Sequence, residues 1–370
     1  MRGVDVMQES LFTRVHLESF VPVDHPLRSL RGLFNTALKG ISHLFDEIYA
    51  EGGRESIAPE RLLRAQFLQV LYSIRSERQL AEQLHYNLLF RWFVGLGIED
   101  AVWDHSTFSK NRDRLLEHAV VPALFTEVVA LAGKKGLLSK EHFSVDGTLI
   151  QAWASHKSFR PKDEDPKKTG TGKEGTGRLA SERNAPRDFH GEQRKNDTHH
   201  SVTDPYARLY RKSAGSGAML CYQGHTVMEN RHGLIVRAQV STTSGTAERE
   251  TALELLRSLP GKHRKTVGAD KGYDVASFTQ GCRRHAITAH VAAKDKGSSV
   301  DGRTTRHAGY GISQRKRKRI EEPFGWNKLI GQLRQVKQRG VAKVDGIFKF
   351  GMLSWNLVRI RNILAMAATQ

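Results

Sequence analysis

Apolar residues recur with two different periods along this chain, and the change from one to the other divides it. From about residue 26 to residue 135 the pattern is helical. Ser56–Glu60 opens a helix with Pro59 in its first turn, where a missing backbone N–H costs nothing. Leu62, Leu63, Phe67, Leu68, Val70 and Leu71 then follow at helical spacing. A second helix is predicted over Glu77–His85 and a third after Asp104–Thr107. Short helices joined by tight turns suit a helix-turn-helix module, and a plain helical bundle fits the same pattern.

From about residue 142 strands take over. Phe143–Ile150 reads as a strand. Residues 155–215 then lose nearly all apolar content, as in RPKDEDPKKTGTGKEGTGR, and cannot bury enough surface to order themselves alone. We read them as a flexible insertion, with His199 and His200 solvated. Beyond it the pattern predicts a hairpin from Met219–Met228 and Leu234–Val240 around a Glu229–Gly233 turn. A helix over Ala247–Leu259, a strand at Thr266–Asp270, a helix over Val275–His285 and a strand at Thr288–Ala292 follow. Gly297–Gln314 reads as a polar loop, and two long helices close the chain, at about 316–333 and 343–367. The alternation predicts an α/β domain with a mixed sheet. The domain reading is an all-α N-terminal part over residues 1–135 and a catalytic part over 136–370, interrupted by the insertion.

Charge adds a partner to this picture. The chain has 58 Lys+Arg against 39 Asp+Glu, a formal net charge of +19, which points to a polyanion. Nucleic acid is the first choice and an acidic membrane surface the second. Two cysteines, Cys221 and Cys282, are too few for a disulfide scaffold or a thiolate zinc site. The N-terminus lacks an apolar signal core, and no stretch approaches the roughly 20 apolar residues of a membrane span. The expectation is a soluble, cytoplasmic protein.

Three acids stand out against that basic background. Asp146 interrupts an apolar strand and is followed by Gly147; Asp270 ends another strand, with Gly272 close behind. Neighbouring strands lie about 4.8 Å apart, so two such carboxylates can reach one cation, which relieves their repulsion. Glu321 is the third candidate. Arg317, Glu321, Phe324 and Lys328 fall on one helical face, although Pro323 is awkward in a helix interior. An ordinary ion pair between Arg317 and Glu321 is the simpler reading of that spacing taken alone. The run Arg315–Arg319 beside it reads as a contact to a nucleic-acid backbone. Asp274 competes with Asp270, and Glu322 with Glu321.

These residues carry a resemblance. HPLRSLRGLF, SIRSERQLAEQLHYNLLFRWFVGL and DHSTFSKNRDRL look like the N-terminal domain of the DDE transposases of bacterial insertion sequences, in the insertion-sequence-five-like group. FSVDGTLIQAWAS and GADKGYD resemble the regions around that family's first and second catalytic Asp. TDPYARLYRKS, CYQGHTVMENRHGLIV and GTAERETALELL resemble its middle section. Its C-terminal Tyr, Arg, Glu, Lys signature falls on Arg317, Glu321 and Lys328, with Gln314 where the Tyr would stand and the nearest tyrosine at Tyr310. The resemblance implies a ribonuclease-H-like catalytic domain. In it Asp146, Asp270 and Glu321 would hold two Mg²⁺ ions, with Mn²⁺ able to substitute. Ions of this kind sit about 3.5–4 Å apart and serve phosphodiester cleavage. It also implies binding to terminal inverted repeats and target DNA, strand cleavage and joining, and a homodimer or larger assembly on DNA. Arg315, Arg317, Arg319, Lys328 and Trp326 are the expected DNA contacts, Trp326 by stacking or else as a core residue. A transposase descendant that binds DNA without cutting it is the alternative expectation.

Overall fold

The computed structural model describes residues 16–49, 56–162, 194–211 and 217–368. Its N-terminal part is helical: α1 (Leu17–Phe20), α2 (Pro26–Gly40), α3 (Ser42–Ile48), α4 (Pro59–Leu71), α5 (Glu77–Tyr86), α6 (Leu88–Val94), α7 (His105–Glu117) and α8 (Val120–Lys134). Local chemistry sets the starts. Ser76, Asn87 and Asp104 each accept a hydrogen bond from a first-turn amide of α5, α6 and α7, and Pro26 and Pro59 occupy first turns. Phe34, Phe67 and Phe93 stack at the centre, with ring centroids 5.0 and 5.8 Å apart.

The strands and helices that follow are β1 (His142–Gln151), β2 (Phe159–Pro161), β3 (His199–Ser201), β4 (Arg208–Tyr210), β5 (Met219–Glu229), β6 (Ile235–Thr242), α9 (Ala247–Arg257), β7 (Lys265–Ala269), α10 (Ala276–Arg284), β8 (Ile287–Val291), α11 (Gly302–Thr305), α12 (Ala308–Lys316), α13 (Glu321–Leu329) and α14 (Val341–Ala368). The main sheet runs β6-β5-β1-β7-β8, with the short β4 added to one end of β5. β5 is antiparallel to both β1 and β6, whereas β7 and β8 run parallel to β1. This is a ribonuclease-H-like mixed sheet behind a helical N-terminal region, as expected. One face packs α9 and α10 around Phe143, Val145, Val267 and Phe278. The other shares a core with α14 and the N-terminal helices, through Ile150, Tyr222, Phe348 and Leu124. Among the described residues no single helix is long and apolar enough to cross a membrane.

The structure departs from the expected elements in three places. The polar loop at 297–314 contains α11 and α12. The side chains of Asp301 and His307 cap these helices, and α12 buries only Ser313, so no apolar period announces it. The helix at 316–333 is a 3-10 turn over Arg317–Ile320 followed by α13, which ends at Leu329; Pro323 falls in the first turn of α13 and breaks no hydrogen bond. The insertion is ordered over 155–162 and 194–211, and 212–216 lie outside the described residues. β2 pairs with β3, Ser158 and Ser201 share a hydrogen bond of 2.8 Å, and buried Asp204 accepts from the Tyr222 hydroxyl at 2.6 Å. His199 is buried there against the Phe159 ring rather than solvated. The stretch 163–193 lies outside the described residues.

Candidate active site

Sheet register brings the two aspartates together. β1 and β7 pair in parallel with Ser144 opposite Gly268. Two residues further on, the same register sets Asp146 beside Asp270, on one side of the sheet. The helical segment that carries the third acid lies across these strands. A side chain at Gly268 would come within 3.3 Å of the Arg317 Cβ and of the Ser313 carbonyl, so this glycine permits the close approach. Ser313 fastens α12 below, through hydrogen bonds to His290 Nδ1 at 2.7 Å and His142 Nε2 at 2.9 Å.

Asp146, Asp270 and Glu321 then line one cavity of about 240 Å³, together with Val145, Lys271, Arg317 and Ile320. Asp146 Oδ1 accepts from the Gly147 amide at 2.8 Å, and Asp270 Oδ1 from the Gly272 amide at 2.9 Å. Burial pushes the Asp146 carboxyl up to about 7, and the negative charges of Glu248, Asp270 and Glu321 add to that rise. Among the described residues no three Asp, Glu, His or Cys side chains converge tightly enough to hold one metal ion. The acids ring the cavity instead, each aspartate turned toward its own backbone. As an all-oxygen set of crowded carboxylates they suit a hard divalent cation, whose charge would relieve the strain on Asp146.

Arg317 faces this cavity with an oriented guanidinium. Its Nε donates to Gln314 Oε1 at 2.9 Å, and Gln314 Nε2 donates to the His290 carbonyl at 2.7 Å. Gln314 thus ties Arg317 to the end of β8, and Tyr310 is occupied elsewhere, donating to the Val291 carbonyl. The other expected DNA contacts do not line the cavity. Arg319 turns to the β5–β6 corner, where Nη2 reaches the His232 carbonyl at 3.4 Å. Arg315 is exposed on α12, and Lys328 is half-buried near the end of α13. Trp326 is half-buried and packs edge-on against Trp355, with ring centroids 6.0 Å apart.

Of the two alternatives for the acids, Asp274 is a loop anchor. It is buried and accepts from the Lys294 and Ser299 amides, both at 2.7 Å, and from the Ser299 hydroxyl at 2.6 Å. Burial raises its carboxyl, but these donors outweigh it and hold the group at about 2. Glu322 points toward Arg319, 4.0 Å away. Two neighbours of the site escaped the sequence reading. Lys271 pairs with Asp295 at 2.8 Å on the cavity rim. Glu248, in the first turn of α9, accepts from Gln223 Nε2 at 3.2 Å and lies beside Gly147, where an added Cβ would meet Glu248 Oε1 at 3.0 Å.

Comparison with known proteins adds a family to this geometry. Residues 15–114 match the Transposase domain (DUF772) family, and residues 190–357 match the Transposase DDE domain family. Asp270 and Glu321 fall within the second match, and Asp146 precedes it. No curated protein matches the chain. Among solved structures, a piggyBac transposase synaptic complex with hairpin DNA aligns over 93% of this chain and 77% of its own, at 8% identity and a TM-score of 0.41. A Mos1 transposase paired-end complex aligns over 85% and 82%, at 11% identity and a TM-score of 0.20. Both structural likenesses are remote, and the family rests on the two domain matches together with the ribonuclease-H-like sheet. With a transposase domain ahead of a transposase DDE domain, the chain belongs to the DDE transposases.

Proposed function

We propose that this transposase cuts and joins DNA at the ends of an insertion sequence of the insertion-sequence-five-like group, with Asp146, Asp270 and Glu321 as its catalytic carboxylates. One observation carries the reading. Three acids separated by 124 and 51 positions in the chain line the same small cavity, beside an arginine already oriented into it. In this reading Asp146, Asp270 and Glu321 would hold Mg²⁺, with Mn²⁺ able to replace it. Bound divalent cations activate an attacking water or 3′-hydroxyl and stabilise the leaving oxygen.

The remaining chemistry belongs to the chain's own groups. Arg317, fixed by Gln314, takes a phosphate oxygen of the strand being cut. Lys271 adds a second positive charge at the rim. Asp274 holds the loop at 294–299 in place behind Asp270. The basic surface supplies the sequence-independent part of DNA affinity, and the N-terminal helices over residues 1–135 supply recognition of the terminal repeats. The protein works in the bacterial cytoplasm on chromosomal DNA, as a homodimer or larger assembly that pairs two ends.

The test is a duplex carrying the element's ends, incubated with protein and Mg²⁺ and examined for strand nicks and for joined products on a target plasmid. Asp146→Asn, Asp270→Asn and Glu321→Gln should each abolish nicking while end binding persists. A variant that still nicks shows its residue to be misassigned. End binding by the unaltered protein without any nicking would support the non-catalytic alternative.

A further inference from the structure

We infer that Glu248 is a fourth carboxylate of the cation site, acting on the bound ion from behind Asp146. This inference rests on the proposed role of Asp146 as a metal ligand. Phe143 and Val145 face the α9 side of the sheet, and Gly147, two residues on, is the next position with that orientation. Having no side chain, it leaves a gap on that face, one position along the strand from Asp146. Glu248 occupies it, so closely that any Cβ at 147 would sit 3.0 Å from its Oε1. The chain therefore gives up a packing side chain in a core strand and places an acid there.

A helix-terminus effect does not account for this. Acids in a first turn are favoured by the helix dipole, but an exposed one suffices, and Glu250 in the same turn is exposed. Glu248 instead turns inward, where a carboxylate is costly unless compensated. Its one hydrogen bond of ordinary length comes from Gln223. A second, independent observation lies beneath it. Tyr273 is 1% exposed, and its hydroxyl lies against Glu248 without a well-formed hydrogen bond. Gln223, 4% exposed, likewise leaves its Oε1 unpartnered. A buried amide with an unused acceptor and a buried hydroxyl without a well-formed hydrogen bond thus surround an acid whose negative charge reaches Asp146. A divalent cation held by Asp146 is the charge that would compensate the cluster, with Glu248 raising the site's affinity and orienting the Asp146 carboxylate toward it.

The experiment is a titration of the full-length protein, free of DNA, with Mn²⁺ alone. Free Mn²⁺ is followed by its paramagnetic resonance signal, and thermal melting is recorded without metal. Glu248→Gln keeps the size of the side chain and an acceptor for Gln223 while removing the charge. It should weaken Mn²⁺ binding about tenfold or more, leave metal-free melting equal or higher, and regain affinity when the substitution is Glu248→Asp. Asp146→Asn should also weaken binding. If Asp146→Asn weakens binding and Glu248→Gln does not, the inference about Glu248 fails and the proposed function stands. If Asp146→Asn leaves binding unchanged, the proposed ligand fails and the inference with it. A Glu248→Gln protein that melts lower without metal, or does not fold, shows a structural acid and overturns the inference.

Discussion

Two aspartates four residues apart, Asp270 and Asp274, sit in opposite surroundings, and the cavity that holds Asp270 is the reverse of the pocket that holds Asp274. Asp274 is surrounded by donors: two amides and a hydroxyl close on its carboxylate at 2.6–2.7 Å. In the cavity acids face acids, and burial together with Glu248, Asp270 and Glu321 pushes Asp146 up to about 7. A carboxylate whose acceptor capacity is filled by the protein has no reason to take a ligand. One left among like charges is stabilised as an anion when something positive arrives. The contrast assigns structure to one group and chemistry to the other, although both follow the strand end of β7 within a single loop.

The largest effect that can break this contrast is on DNA cleavage. Asp146→Asn should lose nicking altogether, whereas Asp274→Asn, measured below its melting temperature, should keep it per folded molecule. Loss of nicking in folded Asp274→Asn would reverse the assignment. Stability comes next, with opposite signs. Asp274→Asn should cost about 2–3 kcal/mol at neutral pH, the worth of hydrogen bonds to a charged acceptor. Its folded carboxyl stands at about 2, below the ordinary 3.8, so this contribution is present above that ordinary value and is lost as pH falls through about 2. Denaturant melts of wild type and variant should therefore converge toward pH 2.

Asp146 gives an effect that runs the other way. Its folded carboxyl is raised from 3.8 to about 7, so the metal-free protein is most favoured below pH 4 and loses that advantage as pH rises through 7. Metal-free Asp146→Asn should melt above wild type at pH 8, and the gap should close by pH 4. A constant gap across that range would mean that the carboxyl titrates normally and that the cavity imposes no charge stress.

Much of this was legible in the sequence, for reasons that particular residues make plain. Asp146 interrupts an apolar strand and Asp270 ends one, so burial alone marked both as costly. The five main strands were read to within about two residues of their ends, while their order in the sheet was not. Glu248 was illegible because GTAERETALELL is an amphipathic helix opening with acids, which the helix dipole favours anywhere. Only the packing of α9 on the sheet, with Gln223 and the gap at Gly147 to receive it, turns Glu248 inward. α12 was illegible because it buries one polar residue, Ser313, whose hydrogen bonds go to histidines 171 and 23 positions away. The ordered parts of the insertion depend likewise on distant partners, with Asp204 held by Tyr222.

The smallest expected effect extends the comparison from acids to bases. Arg317 and Arg319 belong to one basic run and both read from the sequence as backbone contacts, Arg317 with the added mark of the signature position. Arg317 spends its Nε on Gln314 and lines the cavity, whereas Arg319 turns to the His232 carbonyl and toward Glu322. A phosphate contact releases counterions, so Arg317→Ala should lower the slope of log affinity against log salt for end DNA by about one. Arg319→Ala should leave the slope near its original value and instead loosen the β5–β6 corner. Gln314→Ala sharpens the point: with the guanidinium freed from its tether, affinity at low salt should fall while the slope stays close to that of wild type, because the charge remains but its position is lost. Equal slopes for the Arg317 and Arg319 variants would show that both cations, or neither, meet phosphate, and that the direction of a side chain in the free protein does not decide which basic groups DNA selects.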